Sequence, residues 1–250
     1  MTGEPPSKHL LADWLDLHQI SAAQCQHILR DWPEPPPLEP RAAQTTDLTA
    51  IAVWDMASAA LSAVFGTKSA HMELVRRQTK CVFQPDPAKY PRAFTLNEDG
   101  QGTPMVVCNY QAQLADLMVL AHEFGHAAQI IASGERFLPP VPREVCAFLA
   151  ELAMLAYLQN HQPELHQGAQ QVWLAAVAKS WHKDRHDLMQ VLSDPAGLSR
   201  PYSYQWNYPI ARALALNLWE FIAANPAGGE AIWPLFEGRL DSGIAGLPIL

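Results

Sequence analysis

The chain has 250 residues, 49% hydrophobic and only 17% charged, against roughly 25% charged in an average soluble domain. That length can bury a sizeable core as one large domain or two small ones, and a formal charge of −8 with a pI near 5.6 excludes the basic footprint of a nucleic-acid binder. No apolar run reaches the roughly 18–20 uncharged residues of a membrane span, the start MTGEPPSKHLLADW has no signal-peptide pattern, and four scattered cysteines (Cys25, Cys81, Cys108, Cys146) without a CxxC pair fit reduced thiols in a cytoplasm.

Residues 7–32 read as a helical hairpin. Ser7 can cap a first helix that has Leu10, Leu11, Trp14 and Leu15 on one face, and Ser21 with Gln24 forms a capping-box pattern before CQHILRDW. PEPPPLEP (33–40) holds five prolines; it can be neither helix nor central strand and reads as an extended spacer. The chain therefore divides into a hairpin over 1–32, a proline-rich linker over 33–41 and a main domain over 42–250, with no internal repeat. In that domain TDLTAIAVWDMASAALSAVF (46–65) is a buried helix by length and alanine content. RAFTLNEDGQGTPMVVCNY (92–110) has β-branched and aromatic residues flanking Asp99-Gly100 and Gly102, the signature of a hairpin. Helices follow at 114–133, stopping at Ser133-Gly134, and at 143–159 after a loop with Pro139, Pro140 and Pro142. More are expected at 168–181, 183–193, about 204–223 and 229–238. The expected fold is mainly α, with one small β hairpin just before a histidine-bearing helix.

That helix carries VLAHEFGHAAQ (119–129). His122 and His126 lie one turn apart on one face, so two imidazoles can converge on one metal ion. Glu123 sits about 100° round the helix, able to reach a water on that metal but poorly placed as a ligand. Gly125 costs about 1 kcal/mol against alanine in a helix interior, which suggests that another backbone or a substrate comes close there. A catalytic zinc site needs a third protein ligand. PREVCAFLAE supplies Glu144, 18 residues after His126 and near the start of the next helix, and Glu151 follows seven positions on. Two turns with a drift of about 20° keep both glutamates on one face, among Val145, Cys146, Ala147, Phe148, Leu149 and Ala150. Glu144 as metal ligand and Glu151 hydrogen-bonded to a ligand histidine would explain acids in an apolar segment. The alternative is a solvated stripe carrying both glutamates, beside a chance pair of histidines.

PMVVCNYQAQLADLMVLAHEFGHAAQ (104–129) resembles the active-site segment of the thimet oligopeptidase and oligoendopeptidase F family of zinc peptidases. EVCAFLAE (144–151) is similar to that family's next helix, where a ligand glutamate opens an E-x6-E pattern. YSYQWNYPIARALALNLW (202–219) resembles its tyrosine-rich helix, which presents phenols to the peptide carbonyl. The resemblance implies a zincin-like catalytic domain. Zn2+ would be held by His122, His126 and Glu144, with Glu123 as general base, Glu151 behind the ligands, and Tyr204, with Tyr202 or Tyr208, on the oxyanion. It departs from the family at Gln129, where a histidine is usual, in having no histidine over 187–201, and in length, which leaves out the helical half that roofs a deep channel. HEFGH followed by EVCAFLAELAML is also similar to repressor-cleaving metallopeptidases of mobile elements.

The implied activity is hydrolysis of peptides, or of an exposed protein segment, by a metal-activated water, with no nucleic-acid or membrane partner. The substrate strand is expected to add along GTPMVVCNY. A regulatory protease specific for one protein and a non-catalytic zinc-binding protein are the alternatives. WHKDRH, with His182 and His186 four apart, reads as a solvated helix face. His9, His18, His27, His71, His161 and His166 read as ordinary residues.

Overall fold

The computed structural model describes residues 9–38, 44–84, 92–97, 103–134, 136–225 and 227–239. The Ser7 cap and the Asp99-Gly100-Gly102 turn lie outside them. Ten α-helices and three short strands follow in order: α1 (Leu11–His18), α2 (Ala22–Asp31), α3 (Ala50–Phe65), α4 (Ser69–Gln78), β1 (Lys80–Phe83), β2 (Phe94–Asn97), β3 (Pro104–Cys108), α5 (Leu114–Ser133), α6 (Pro140–His161), α7 (Pro163–Lys179), α8 (His186–Ser193), α9 (Asn207–Ala224) and α10 (Gly228–Phe236). The mainly α architecture expected from the sequence is present, and α5 has the expected bounds. The two helices expected over 168–193 are joined through a π-helical turn, Ser180–Arg185.

Helix ends follow local chemistry. The Ser21 hydroxyl accepts from Gln24 N–H while Gln24 Oε1 accepts from Ser21 N–H, so two unpaired donors of the first turn of α2 satisfy each other's residues. Thr49 Oγ1 accepts from Ala52 N–H at the start of α3. Asp116 Oδ2 accepts from Gln111 and Gln113 N–H before α5. Pro140 and Pro142 sit in the first turn of α6, where a missing N–H costs least. The one remaining donor of that turn before Arg143, Val141 N–H, reaches His18 Nε2 at 3.1 Å.

The strands form one sheet in the order β1-β3-β2. β2 and β3 pair antiparallel, Phe94 with Val107 through Asn97 with Pro104, as the hairpin pattern predicts. β1 is an addition: it pairs parallel to β3, Lys80 with Met105 through Phe83 with Cys108. Four residues in a parallel pairing leave no turn signal and no alternation long enough to read. Helix α4 was likewise not expected from its sequence.

Among the described residues one apolar cluster joins the helices, with α5 and α6 packed on each other and on α3. Leu11, Trp14, Leu15, Cys25, Ile28, Leu29 and Trp32 from α1, α2 and the residue after them are buried in that same cluster. Ala50–Gln78 is long and apolar enough, by composition, to cross a membrane, and half of its most apolar window is buried inside this fold. Burial of Val53, Trp54, Ala57, Ala60 and Leu61 accounts for the apolar composition of α3.

Candidate metal centre

The centre is built where α5 and α6 touch. A Cβ on Gly125 would lie 2.6 Å from Ala147 Cα, 2.8 Å from Cys146 O and 2.9 Å from Ala150 Cβ. The close neighbour anticipated at Gly125 is therefore the backbone of α6. That approach brings the first turns of α6 over the histidine face of α5. The Glu144 carboxylate, 2% exposed, then lies 3.4 Å from His122 Nε2 and 3.7 Å from His126 Nε2. The ligand atoms of His122, His126 and Glu144 all lie within 4.8 Å of one another, so the three could hold a metal ion.

Two features fit a cation. Glu144 Oε2, the oxygen facing both imidazoles, is buried and has no hydrogen-bond partner, an arrangement that costs several kcal/mol for a carboxylate left alone. The spacing also matches: two donors each about 2.1 Å from one ion in a tetrahedral arrangement lie about 3.4 Å apart. Two imidazoles and one carboxylate are a donor set suited to zinc among common divalent ions.

Around these three the side chains are tied down. His122 Nδ1 lies 2.7 Å from Glu151 Oε1, and Arg212 Nη1 donates to Glu151 Oε2 at 3.4 Å. The Arg212 guanidinium lies 4.0 Å from the ring centroid of Phe148, which in turn packs edge-on to His122. Tyr204 O–H donates to Glu144 Oε1 at 2.6 Å. Burial alone would lower the His122 pKa, but the two nearby carboxylates, Glu144 and the hydrogen-bonded Glu151, raise it above the usual imidazole range. His126 has no such bonds, and burial lowers it. Burial would raise Glu144, and the two imidazoles with the Tyr204 hydroxyl outweigh it and hold the carboxyl low. The two imidazoles therefore respond in opposite senses, His122 beside two carboxylates and His126 governed by its burial.

Glu123 faces the sheet. Thr95 of β2 donates to Glu123 Oε2 at 2.6 Å, and burial raises the Glu123 carboxyl above its ordinary value. The tyrosines part company. Tyr204 and Tyr208 line the cleft beside the histidines, and Tyr208 makes no hydrogen bond among the described residues. Burial raises the Tyr208 phenol to about 12. Tyr202 is turned into the scaffold: its ring stacks on Trp14 and its hydroxyl accepts from Asn207 Nδ2. The expected substrate edge requires correction. β3 is paired on both sides, so GTPMVVCNY offers no edge there. The strand whose side chain meets the histidine-bearing helix is β2, through Thr95 and Glu123.

The cleft has two arms that meet at His122, Glu123 and Tyr208. One, about 480 Å³, runs past Thr95, Leu138, Arg143 and Glu144. The other, about 830 Å³, runs past Arg92, Trp173, Lys179, Lys183 and Arg212. A separate cavity of about 470 Å³ near Ala60, Ala156 and Ile222 is lined largely by small apolar side chains and lies away from the cluster. His182 and His186 are exposed, and Gln129 is buried with its amide donating to Ser133 Oγ.

Sequence reasoning missed Thr95, Arg212, Asn207 and His18. Only Arg212 left a readable trace, one turn beyond Tyr208 on the tyrosine-rich helix. His18 is 1% exposed; it contacts Trp14 O through Nδ1 at 2.7 Å and accepts Val141 N–H through Nε2. That pattern fixes the neutral tautomer with the proton on Nδ1.

No family model matches the sequence, and no curated protein matches it significantly. Solved structures share its fold. One from Bacillus anthracis str. Ames, provisionally described as an oligoendopeptidase F, matches 100% of this chain with a TM-score of 0.57 at 13% identity. One from Chlamydophila abortus, provisionally described as a peptidase, matches 98% with a TM-score of 0.51 at 15% identity. The chain spans about half the length of each, 52% and 51%. At these identities the likeness is one of fold.

Proposed function

We propose that this chain is a zinc-dependent peptidase of the oligoendopeptidase F kind, with His122, His126 and Glu144 holding the metal. The observation that carries the reading is the convergence of two imidazoles on a buried carboxylate oxygen without a partner, with a second carboxylate, Glu123, on the same helix. A bound zinc supplies Lewis acidity, which acidifies a water and polarises a carbonyl. Glu123 takes the proton of the attacking water at its carboxylate and returns it to the leaving amine. Its raised pKa suits it to both halves of that exchange, and Thr95 fixes its orientation. Tyr208, with an uncommitted hydroxyl at the junction of the cleft's arms, donates to the developing oxyanion, a role worth about 3–4 kcal/mol. Tyr204 steadies Glu144. Glu151 and Arg212 lock His122 so that Nε2 faces the metal. A peptide lies in the cleft between Thr95 of β2 and the two histidines.

The test separates Glu123 from Glu144. Elemental analysis of the purified protein should find one zinc. Glu123→Gln keeps shape but removes the base, so zinc content should stay near normal while hydrolysis of a peptide library falls by about 10²–10⁴. Glu144→Gln should lose zinc and activity together. Full activity in Glu123→Gln overturns the mechanism, and absence of any bound or acquired transition metal overturns the site. Tight zinc without cleavage of peptides or proteins would favour a non-catalytic zinc protein.

A further inference from the structure

The cleft is richer in cations than the molecule as a whole, with six Lys and Arg side chains against five acids along its walls. Acidic residues outnumber Lys and Arg by 25 to 17 over the chain, yet Arg136, Arg143, Arg92, Lys179, Lys183 and Arg212 all line the two arms. The acids there are already engaged. Glu144 faces the histidines, Glu151 is held by His122 and Arg212, Glu123 is held by Thr95, and Asp116 accepts from two backbone N–H groups ahead of α5. Asp184 sits next to Lys183 in the π-helical turn Ser180–Arg185. Of the cations, Arg143 stands out. It precedes Glu144, lines the same arm as Tyr204 and Tyr208, and has no ion pair or side-chain hydrogen bond among the described residues. Its Nε is buried and unsatisfied. A guanidinium held beside a reaction centre with a buried, unmet donor is a fork suited to a carboxylate.

We propose that the cleft selects acidic peptides and that Arg143 receives a substrate carboxylate next to the scissile bond. The inference rests on the peptidase reading and adds the substrate class to it. A carboxylate can come from an Asp or Glu side chain or from the peptide's C-terminus, and both would satisfy the same fork. Cations along both arms would draw such peptides in and weaken in effect as salt rises.

The experiment uses the full-length protein with its zinc and a matched set of fluorogenic peptides. They differ only in Glu or Gln at the position flanking the cleaved bond, each as a free acid and as a C-terminal amide. The expected result is at least a tenfold higher kcat/KM for a carboxylate-bearing peptide than for the Gln amide, shrinking between low and high salt. The Glu amide and the Gln free acid identify which carboxylate is read. In Arg143→Gln the ratio should fall towards one, and Arg143→Lys should retain part of it. Zinc content and melting temperature of both variants show whether Glu144 has been disturbed. Equal rates for all four peptides overturn the inference and leave the peptidase reading standing. If nothing is cleaved, that reading falls, and binding of the same peptides decides the inference by itself. A carboxylate preference that Arg143→Gln removes upholds it, and binding without preference, or none, overturns it.

Discussion

His18 should make the fold acid-sensitive by an amount that can be isolated. Its imidazole is 1% exposed, accepts Val141 N–H and contacts Trp14 O, so protonating it would place a second N–H against a donor. Burial, only partly opposed by the Trp14 carbonyl, lowers its pKa from 6.5 to about 4. The folded value lies below the unfolded one. The neutral side chain therefore costs nothing above pH 6.5, and stability is lost as pH falls from 6.5 towards 4, because the unfolded chain binds the proton first. At about 1.36 kcal/mol per unit the full loss is about 3 kcal/mol, a large share of a typical domain's stability. The assay is urea unfolding of wild type and His18→Gln at several pH values from 7.5 to 4.5, with metal removed by a chelator so that zinc linkage is absent. At pH 7.5 the variant should be less stable by about 1 kcal/mol, the worth of a buried hydrogen bond. By pH 4.5 the difference should reverse sign, since carboxylate titrations are common to both proteins and only wild type carries the imidazole. Stability curves that stay parallel across this range would refute the reasoning.

Gly125→Ala should destabilise the protein by about 1–3 kcal/mol or more, because the atoms its Cβ would strike include the α6 backbone at 2.6 and 2.8 Å; calorimetry should show a lower melting temperature together with weaker zinc uptake. Glu151→Gln breaks the charge pairing to His122 and Arg212 and should weaken zinc binding about 10–100-fold, read by chelator competition, without changing which peptides are cut. Trp14→Phe keeps the ring but strands the buried Asn207 Oδ1, costing about 1–3 kcal/mol in a denaturation curve; no loss would mean that a water or a rotated amide replaces the indole.

What could be read from the sequence was what short-range geometry dictates. The four-residue spacing of His122 and His126 and the seven-residue spacing of Glu144 and Glu151 fix directions on a helix whatever surrounds it. The α5 limits followed from the same kind of signal, with Gly134 in a positive-φ conformation at its end. For Glu151 a solvated stripe and a histidine partner both stay open in the sequence, because helix spacing says which face it shares but not what covers that face. Its 2.7 Å contact with His122 depends on how α6 lies on α5. Arg212, Thr95 and Asn207 reach their partners over 61, 28 and 193 positions, and no local pattern encodes such contacts. The misplaced substrate edge has the same origin. β3 reads as an outer strand until β1, four residues long and far upstream, pairs along its other side.

The N-terminal helices matter to this site in a way their sequence does not suggest. His18 receives the N–H of Val141, one turn before Glu144, and so fixes the start of the helix that carries the proposed third ligand. Trp14, one turn earlier on α1, donates to Asn207 Oδ1, while Asn207 donates to Tyr204 O at 2.7 Å. Tyr204 then holds Glu144 Oε1. Backbone bonds from Leu11 N–H to Arg200 O and from Tyr202 N–H to His9 O bind the tyrosine segment to the start of α1. Glu144 is thus braced twice from α1, through the start of its own helix and through the tyrosine that touches its carboxylate. The two histidines are braced by the packing of α5 against α3 and α6, and His122 also by Glu151. A disturbance of α1 should therefore move the carboxylate ligand and leave the imidazoles in place, weakening the third arm of the site before the other two.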